Sequence, residues 1–164
     1  MIRPWKIRPF DPETVDRLVQ ELSLSPLIAR LLAQRGISDS SDARAFLNPS
    51  QDLLHSPFLF SEMEQAVERI SAARQQSERV VIHGDYDVDG ISGTAILLET
   101  LWELGIEVDY YLPHRIEEGY GLNIKSVQEL AGQFDLMITV DCGATAVEEV
   151  ALARERGLDV IITD

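Results

Sequence analysis

Three aspartates alternate along one short segment of this chain. Residues 80–90 read V-V-I-H-G-D-Y-D-V-D-G, so Asp85, Asp87 and Asp89 follow a short apolar run. Carboxylates this close repel one another unless a cation lies among them. Hard oxygen ligands of this kind favour Mg²⁺ or Mn²⁺. The segment is therefore a candidate site for divalent metal ions.

The apolar runs of the chain indicate how the carboxylates are positioned. Val80–His83 is short and rich in β-branched residues, which predicts a buried strand ending just before the acidic segment. Leu136–Val140 is followed by Asp141, and a run ending at Thr163 is followed by Asp164. Parallel strands share one carboxyl edge, where open α/β sheets bind ligands, so these carboxylates are expected to converge. Ordinary turn chemistry explains Asp141 or Asp164 taken alone equally well.

Residues 79–164 alternate between the sequence patterns of strands and of helices. The predicted strands are Val80–His83, Glu107–Leu112, Leu136–Val140 and Asp159–Thr163, and the helices between them are Ile91–Leu104, Ile124–Gly132 and Ala144–Arg156. This order predicts an α/β fold with a mostly parallel, Rossmann-like sheet and flanking helices. The helix Ile91–Leu104 is apolar on most sides and is expected to be deeply buried.

A small helical N-terminal region is expected to precede the sheet, giving domains 1–77 and 78–164. Its predicted helices run from Pro12 to Leu24, from Ser25-Pro26 to Gly36, from a cap at Ser40 or Ser41 to Leu47, and from Glu62 to Gln76. Ser61 and Glu64 have the spacing of a capping box at the start of the last helix.

The composition describes a normal core and a strongly acidic surface. Of the 164 residues, 45% are hydrophobic, and the formal net charge is −14. Such a charge argues against this chain clamping nucleic acid by itself, although bound metal ions would offset part of it. No apolar run reaches membrane-spanning length, and residues 1–6 lack the apolar segment of a secretory signal. A single cysteine, Cys142, excludes an internal disulfide framework, so we expect a cytoplasmic protein.

Other metal and phosphate motifs fit less well. The pattern D-x-D-x-D-G at Asp85 opens an EF-hand, but Ile96 stands where the loop needs a bidentate glutamate, and a strand precedes the motif. The chain contains neither a P-loop nor a G-x-S-x-G elbow. His83 could give an imidazole to the metal site, but a strand-end histidine satisfied by backbone groups is an equal alternative. Cys142 is expected to be a packed small residue.

Three residues are candidates for binding a substrate phosphate. Gly90 and Ser92 open a predicted helix, where backbone N–H groups and the helix dipole can face an anion. Close packing of helix on sheet explains the small residues equally well. Arg115 follows the second strand and could pair with a phosphate, or form a salt bridge with Glu117 or Glu118.

Six segments of the chain together resemble one known family. They are G-D-Y-D-V-D-G-I at 84–91, P-H-R-I-E-E-G-Y-G-L at 113–122, I-T-V-D-C-G at 138–143, V-I-I-T-D at 160–164, F-L-N-P at 46–49 and S-P-F-L-F at 56–60. With these motifs the chain resembles the N-terminal part of the RecJ family of bacterial single-strand-specific DNA exonucleases, within the DHH phosphoesterase superfamily.

The resemblance implies a hydrolase that cleaves phosphodiesters with two Mn²⁺ or Mg²⁺ ions. Asp87 and Asp89, with Asp141, would hold the ions, and Asp141 would bridge them. Asp85 would be a further ligand or would support the ligands. Asp164 would be the first residue of the Asp-His-His motif and would orient the histidines rather than bind metal.

The resemblance also implies a biological role for the parent protein and an incomplete active site in this chain. The parent protein would be a 5′→3′ exonuclease on single-stranded DNA in DNA repair and recombination, with repair or replication proteins as candidate partners and no membrane partner. The two histidines should follow Asp164, where the chain stops. We therefore expect a truncated DHH domain with little or no nuclease activity, and DNA contacts made mainly by missing C-terminal domains.

Two alternatives stay open. One is a small-molecule phosphodiesterase, oligoribonuclease or pyrophosphatase of the same superfamily, against which the helical N-terminal region and the Glu-Gly-Tyr-Gly segment speak. The other is a non-catalytic scaffold for replication or repair proteins. Degenerate members of such families lose their aspartates, whereas Asp85, Asp87, Asp89 and Asp141 are all present here.

Overall fold

The structure, a computed structural model, describes residues 6–164. Residues 1–5, on which the expectation of no secretory signal partly depends, lie outside the described residues. The chain divides into two compact units, Met1–Pro57 and Phe58–Asp164. The boundary between 77 and 78 was placed where the sequence pattern changes, and as a domain boundary it stays a prediction.

The first unit consists of three short helices around a small apolar core. They are α1 (Pro12–Leu22), α2 (Pro26–Ala33) and α3 (Ser40–Leu47). Asp11 and Ser25 cap the first two, each followed by a proline at the first helical position. Asp39 caps α3, so the predicted caps Ser40 and Ser41 are wrong. The buried core residues are Val15, Leu18, Ala29, Leu32 and Ala43.

The second unit contains the predicted parallel sheet, which confirms the α/β fold class. Its elements are α4 (Met63–Gln76), β1 (Arg79–Gly84), α5 (Val88–Glu103), β2 (Glu107–Tyr111), α6 (Ile124–Leu130), β3 (Leu136–Val140), α7 (Val147–Glu155) and β4 (Asp159–Ile161). All neighbouring strands are parallel, in the order β2-β1-β3-β4. Several predicted elements are a few residues too long, as at Leu112, Gly132, Ala144 and Thr163.

The alternation of side chains along β1 gives each face of the sheet its own core. Val80 and Ile82 pack with Ala73 of α4 and Leu101 of α5. Val81 points to the opposite face, where α6 and α7 cover it. No helix in the described part of the chain is long and apolar enough to cross a membrane.

Helix α5 differs from its prediction in both start and burial. It begins at Val88 rather than Ile91, because the Asp87 side chain caps it. Only Gly90, Thr94 and Leu101 are buried along it, whereas the side chains of Ile91, Ile96 and Trp102 are 47%, 68% and 59% exposed. One stripe of the helix faces the sheet, so an apolar composition on most sides did not produce deep burial.

The capping box expected before α4 is also absent. The helix begins at Met63, and Glu62 occupies the capping position without a side-chain hydrogen bond to the helix. The Ser61 hydroxyl instead donates to the carboxylate of Glu62, which removes it as a cap.

Gly90 allows α5 to lie directly against the acidic segment, and we predict that a methyl group there is destabilising. A Cβ at this position would lie 2.5 Å from the carbonyl oxygen of Asp85, a backbone atom that no rotamer change can move. We expect Gly90→Ala to lower the free energy of unfolding by about 1–3 kcal/mol in urea, despite the better helix propensity of alanine. The control Ser92→Ala changes an exposed position of the same helix and should stay within about 0.5 kcal/mol of wild type. Equal stability of Gly90→Ala and wild type would contradict the close packing.

Candidate metal centre

The register of the parallel strands places two of the predicted carboxylates side by side. Gly84 at the end of β1 pairs with Val140 at the end of β3. The next residue of each strand is an aspartate, Asp85 after β1 and Asp141 after β3. The Asp85 N–H donates to the Val140 carbonyl at 3.1 Å, and the Asp141 N–H donates to the Thr163 carbonyl at 2.9 Å. Backbone hydrogen bonds thus fix both residues just past the strands.

Asp87 joins these two residues to form an acidic group at the carboxyl edge of the sheet. Asp85, Asp87 and Asp141 each offer a carboxylate oxygen, and these oxygens lie within 4.8 Å of one another. Asp85 is buried, Asp141 is half-buried and Asp87 is exposed, so the group opens to solvent on one side. The convergence of carboxylates expected from the sequence is present for these three residues.

Asp87 has a second function as the N-cap of α5. Its Oδ1 accepts hydrogen bonds from the N–H groups of Asp89 at 3.0 Å and Gly90 at 3.1 Å. These bonds orient the carboxylate, and they leave Oδ2 available to a ligand.

Asp89 is not brought into the acidic group. Because α5 begins at Val88, Asp89 lies in the first helical turn. Its side chain therefore does not point to the same side as those of Asp85 and Asp87, as it would in an extended segment. Its charge nevertheless contributes to raising the pKa of Asp141. The role of Asp89 as a metal ligand stays a prediction.

Two observations show that the acidic group fits a divalent cation. The Oδ1 atom of Asp85 is buried and has no hydrogen-bond partner in the described part of the chain. Partial burial, and then the charges of Asp87, Asp89, Asp85 and Asp164, raise the pKa of Asp141. A cation would satisfy the buried oxygen and relieve this repulsion, and carboxylate oxygens suit Mn²⁺ and Mg²⁺.

Asp164 lies at the same edge but holds a loop instead of joining the group. Its Oδ2 accepts a hydrogen bond from the Ala144 N–H at 2.8 Å, in the turn that follows Asp141. Asp141 begins that turn with a left-handed φ of 58°, a conformation that aspartate tolerates better than most residues. The predicted role of Asp164 in orienting histidines stays a prediction.

His83 is a core residue of the opposite face and is not brought into the acidic group. Its Nε2 lies 3.2 Å from the Ser126 hydroxyl of α6, and its Nδ1 lies 3.8 Å from the Cys142 sulfur. Burial lowers the pKa of His83 to about 4 and raises the pKa of the Cys142 thiol to about 11, so both are neutral at pH 7. A metal-binding role for His83 stays a prediction, and Cys142 is packed as expected.

The three candidates for phosphate binding have different surroundings. The Gly90 N–H is used by Asp87, and Ser92 is exposed on α5. Arg115 lies with its guanidinium carbon 5.2 Å from the centre of the Tyr86 ring. Among the described residues it forms no salt bridge with Glu117 or Glu118, so that alternative is not observed.

Two tyrosines at the site were missed by sequence reasoning. Tyr86 and Tyr120 meet edge to face with ring centres 6.4 Å apart. The Tyr120 hydroxyl donates to the Asp141 carbonyl at 3.3 Å, which connects the segment after β2 to the acidic group. Their positions inside the D-Y-D and G-Y-G motifs were the available signal.

The part of the chain that forms the sheet and the acidic group matches a known protein family. The sequence pattern of the DHH family, N-terminal domain, matches residues 79–164, which contain the whole sheet. The chain belongs to the DHH family.

Comparison with individual proteins identifies a narrower group of relatives. The chain is 42% identical over 161 residues to the single-stranded-DNA-specific exonuclease RecJ of Bacillus subtilis, covering 98% of this chain and 20% of the relative. It is 35% identical over 146 residues to RecJ of Escherichia coli, covering 86% of this chain and 24% of the relative. The resemblance recognised in the motifs is thereby confirmed.

Solved structures give the same assignment. RecJ of Thermus thermophilus in complex with Mn²⁺ superposes with a TM-score of 0.71 at 31% identity, covering 94% of this chain and 21% of that one. An exonuclease RecJ bound to manganese matches with a TM-score of 0.58 at 45% identity, covering 61% of this chain and 26% of that one. The chain thus spans about a fifth to a quarter of the length of these proteins.

We predict that removing the Asp141 charge raises stability in the absence of metal and reduces the stabilisation that metal provides. In EDTA at pH 7, Asp141→Asn should be more stable than wild type, because it removes a carboxylate whose pKa is raised by partial burial and then by repulsion from neighbouring carboxylates in the folded state. Mn²⁺ in excess should raise the Tm of wild type by several degrees and that of Asp141→Asn much less. Differential scanning calorimetry measures both effects.

Asn suits this test because it tolerates the left-handed φ of position 141. Asp16→Asn, an exposed acid of α1, is the matched control and should retain the full Mn²⁺ shift. An equal Mn²⁺ shift in Asp141→Asn and wild type would exclude Asp141 as a ligand.

Proposed function

We propose that this chain forms the acidic part of a metal-dependent phosphodiesterase that degrades single-stranded DNA as a 5′→3′ exonuclease. The observation that carries the proposal is the group of Asp85, Asp87 and Asp141, with one Asp85 oxygen buried and unpartnered. The RecJ relatives, named as exonucleases specific for single-stranded DNA, support the choice of substrate.

The chain's own residues hold and orient the metal ions in this proposal. Mn²⁺ or Mg²⁺, when held by these carboxylates, would supply activation of a water molecule and stabilisation of charge on the phosphate. Asp87 is held by the first N–H groups of α5, and Asp85 and Asp141 by backbone bonds between strands. Such fixed ligands lose little freedom when an ion binds.

Arg115 is the residue of this chain that we assign to the substrate phosphate. It is a permanent cation beside an otherwise acidic edge, and Tyr86, over which it lies, stands between two residues of the acidic group. The net charge of −14 means that most DNA contacts would come from other parts of the protein. A cytoplasmic location, and repair or replication proteins as partners, belong to the same proposal.

The proposal predicts metal-dependent binding of single-stranded DNA that involves Arg115. A fluorescent oligothymidylate with a free 5′-phosphate should bind the chain in Mn²⁺ and not in EDTA, measured by anisotropy. Arg115→Gln should weaken binding by about tenfold, the loss expected for one charge-assisted contact. Arg74→Gln, an exposed arginine of α4, is the matched control and should bind like wild type.

The same assay separates the alternatives. A dinucleotide that binds as tightly as the long strand would favour a small-molecule phosphodiesterase. Binding that is unchanged in EDTA and in Asp141→Asn would favour a scaffold.

We further predict that the 164-residue polypeptide assayed alone degrades DNA slowly or not at all. Water molecules complete the coordination of Mn²⁺ and Mg²⁺, but three clustered carboxylates leave two ions few protein ligands to hold both of them in place. Release of acid-soluble nucleotides from labelled single-stranded DNA in Mn²⁺ measures the activity. Rapid release by wild type that disappears in Asp141→Asn would contradict the prediction, whereas equal release by both would indicate a contaminating nuclease.

A further inference from the structure

The segment between β2 and α6 brings Arg115 and Tyr120 to the acidic edge without regular secondary structure of its own. It contains two glycines with positive φ, Gly119 at 83° and Gly121 at 75°. A segment of this composition needs specific contacts to keep one conformation.

Glu118 supplies such contacts at the start of the segment. Its Oε2 accepts a hydrogen bond from the Tyr111 hydroxyl at 2.5 Å, and its Oε1 accepts one from the His114 N–H at 2.8 Å. The Glu118 N–H in turn donates to the His114 carbonyl at 2.8 Å. Both carboxylate oxygens are therefore used to fold the segment back onto the end of β2.

The charge of Glu118 is favoured by this arrangement. The His114 N–H, and then the Tyr111 hydroxyl, hold the pKa of Glu118 below its usual value. Burial and the neighbouring Glu118 charge raise the pKa of Tyr111, which keeps its hydroxyl a donor. Hydrogen bonds to a charged acceptor are among the stronger ones in proteins.

Tyr111 is itself anchored to the core of the sheet. Its ring stacks on His83 with centres 5.2 Å apart and an interplanar angle of 25°. His83 is fully buried and contacts Ser126 of α6. Glu118 is thus connected through Tyr111 to the buried core of the second unit.

We propose that Glu118 is a positioning residue for the metal site: it fixes the 112–123 segment so that Arg115 lies over Tyr86 and Tyr120 reaches Asp141. The inference rests on the proposed function for its consequence on substrate binding. Glu118 is not in the acidic group, so its removal should leave metal binding intact.

The neighbouring residue provides a matched control. Glu117 is exposed, and only its backbone N–H, donating to the His114 carbonyl at 3.1 Å, takes part in the turn. Glu117→Gln therefore removes the same charge from the same segment without removing a positioning contact.

The experiment compares Glu118→Ala, Glu118→Gln, Tyr111→Phe and Glu117→Gln in three measurements. They are the Mn²⁺-induced Tm shift, hydrogen exchange of the 114–121 amides, and the affinity for the 5′-phosphorylated oligothymidylate in Mn²⁺. Glu118→Ala should bind the oligonucleotide about tenfold more weakly and exchange faster in this segment, with an unchanged Mn²⁺ shift. Glu117→Gln should match wild type in all three.

Two further variants distinguish positioning from general loss of structure. The amide of Glu118→Gln can still accept from the His114 N–H, so it should recover part of the affinity. Tyr111→Phe should show a smaller loss, and adding it to Glu118→Ala should cause little further loss, because the two residues act through one contact. If Glu118→Ala does not fold, these two variants carry the comparison.

Several outcomes would overturn the inference. They are wild-type affinity and exchange in Glu118→Ala, an equal loss in Glu117→Gln, or additive effects of the Glu118 and Tyr111 changes. If wild type binds no oligonucleotide at all, the proposed function fails, while the exchange data still decide whether Glu118 orders the segment.

Discussion

The pairing of β1 with β3 is the constraint on which the rest of the site depends. Gly84 lies opposite Val140, so Asp85 and Asp141 become neighbours although they are far apart in sequence. A shift of one residue in this pairing would move every side chain of a strand to the other face and separate the two carboxylates. The buried residues on both faces, such as Val80, Val81 and Met137, oppose that shift and so protect the acidic group.

The same packing explains how a concentration of negative charge survives in a folded domain. Asp85 is buried beside Asp87 and Asp141, which is unfavourable for three anions without a counter-ion. The apolar cores on the two faces of the sheet supply the stability that tolerates this repulsion. Binding of a cation would therefore stabilise the folded state, because these carboxylates lie close together only when the sheet has formed.

The sequence predicted what depends on local patterns and failed where tertiary contacts decide. The strands, the parallel sheet and the meeting of Asp85, Asp87 and Asp141 followed from short apolar runs ending in aspartates. The predicted start of α5 was wrong because the Asp87 side chain caps the helix, so the helix begins at Val88. The sequence interpretation had instead placed Asp87 within an extended segment of metal ligands. The surroundings of His83 could not be predicted, since Ser126 and Cys142 reach it from distant parts of the chain.

Asp87 belongs both to the N-terminus of α5 and to the acidic group, and this has an electrostatic consequence. The positive end of the α5 dipole points towards the place where a cation would bind, so the two repel each other. The carboxylate of Asp87 stands between them, with one oxygen towards the helix and the other free. The Asp87 carboxylate therefore screens the first N–H groups of α5 from the charge of an ion, because one of its oxygens would face the helix and the other the ion.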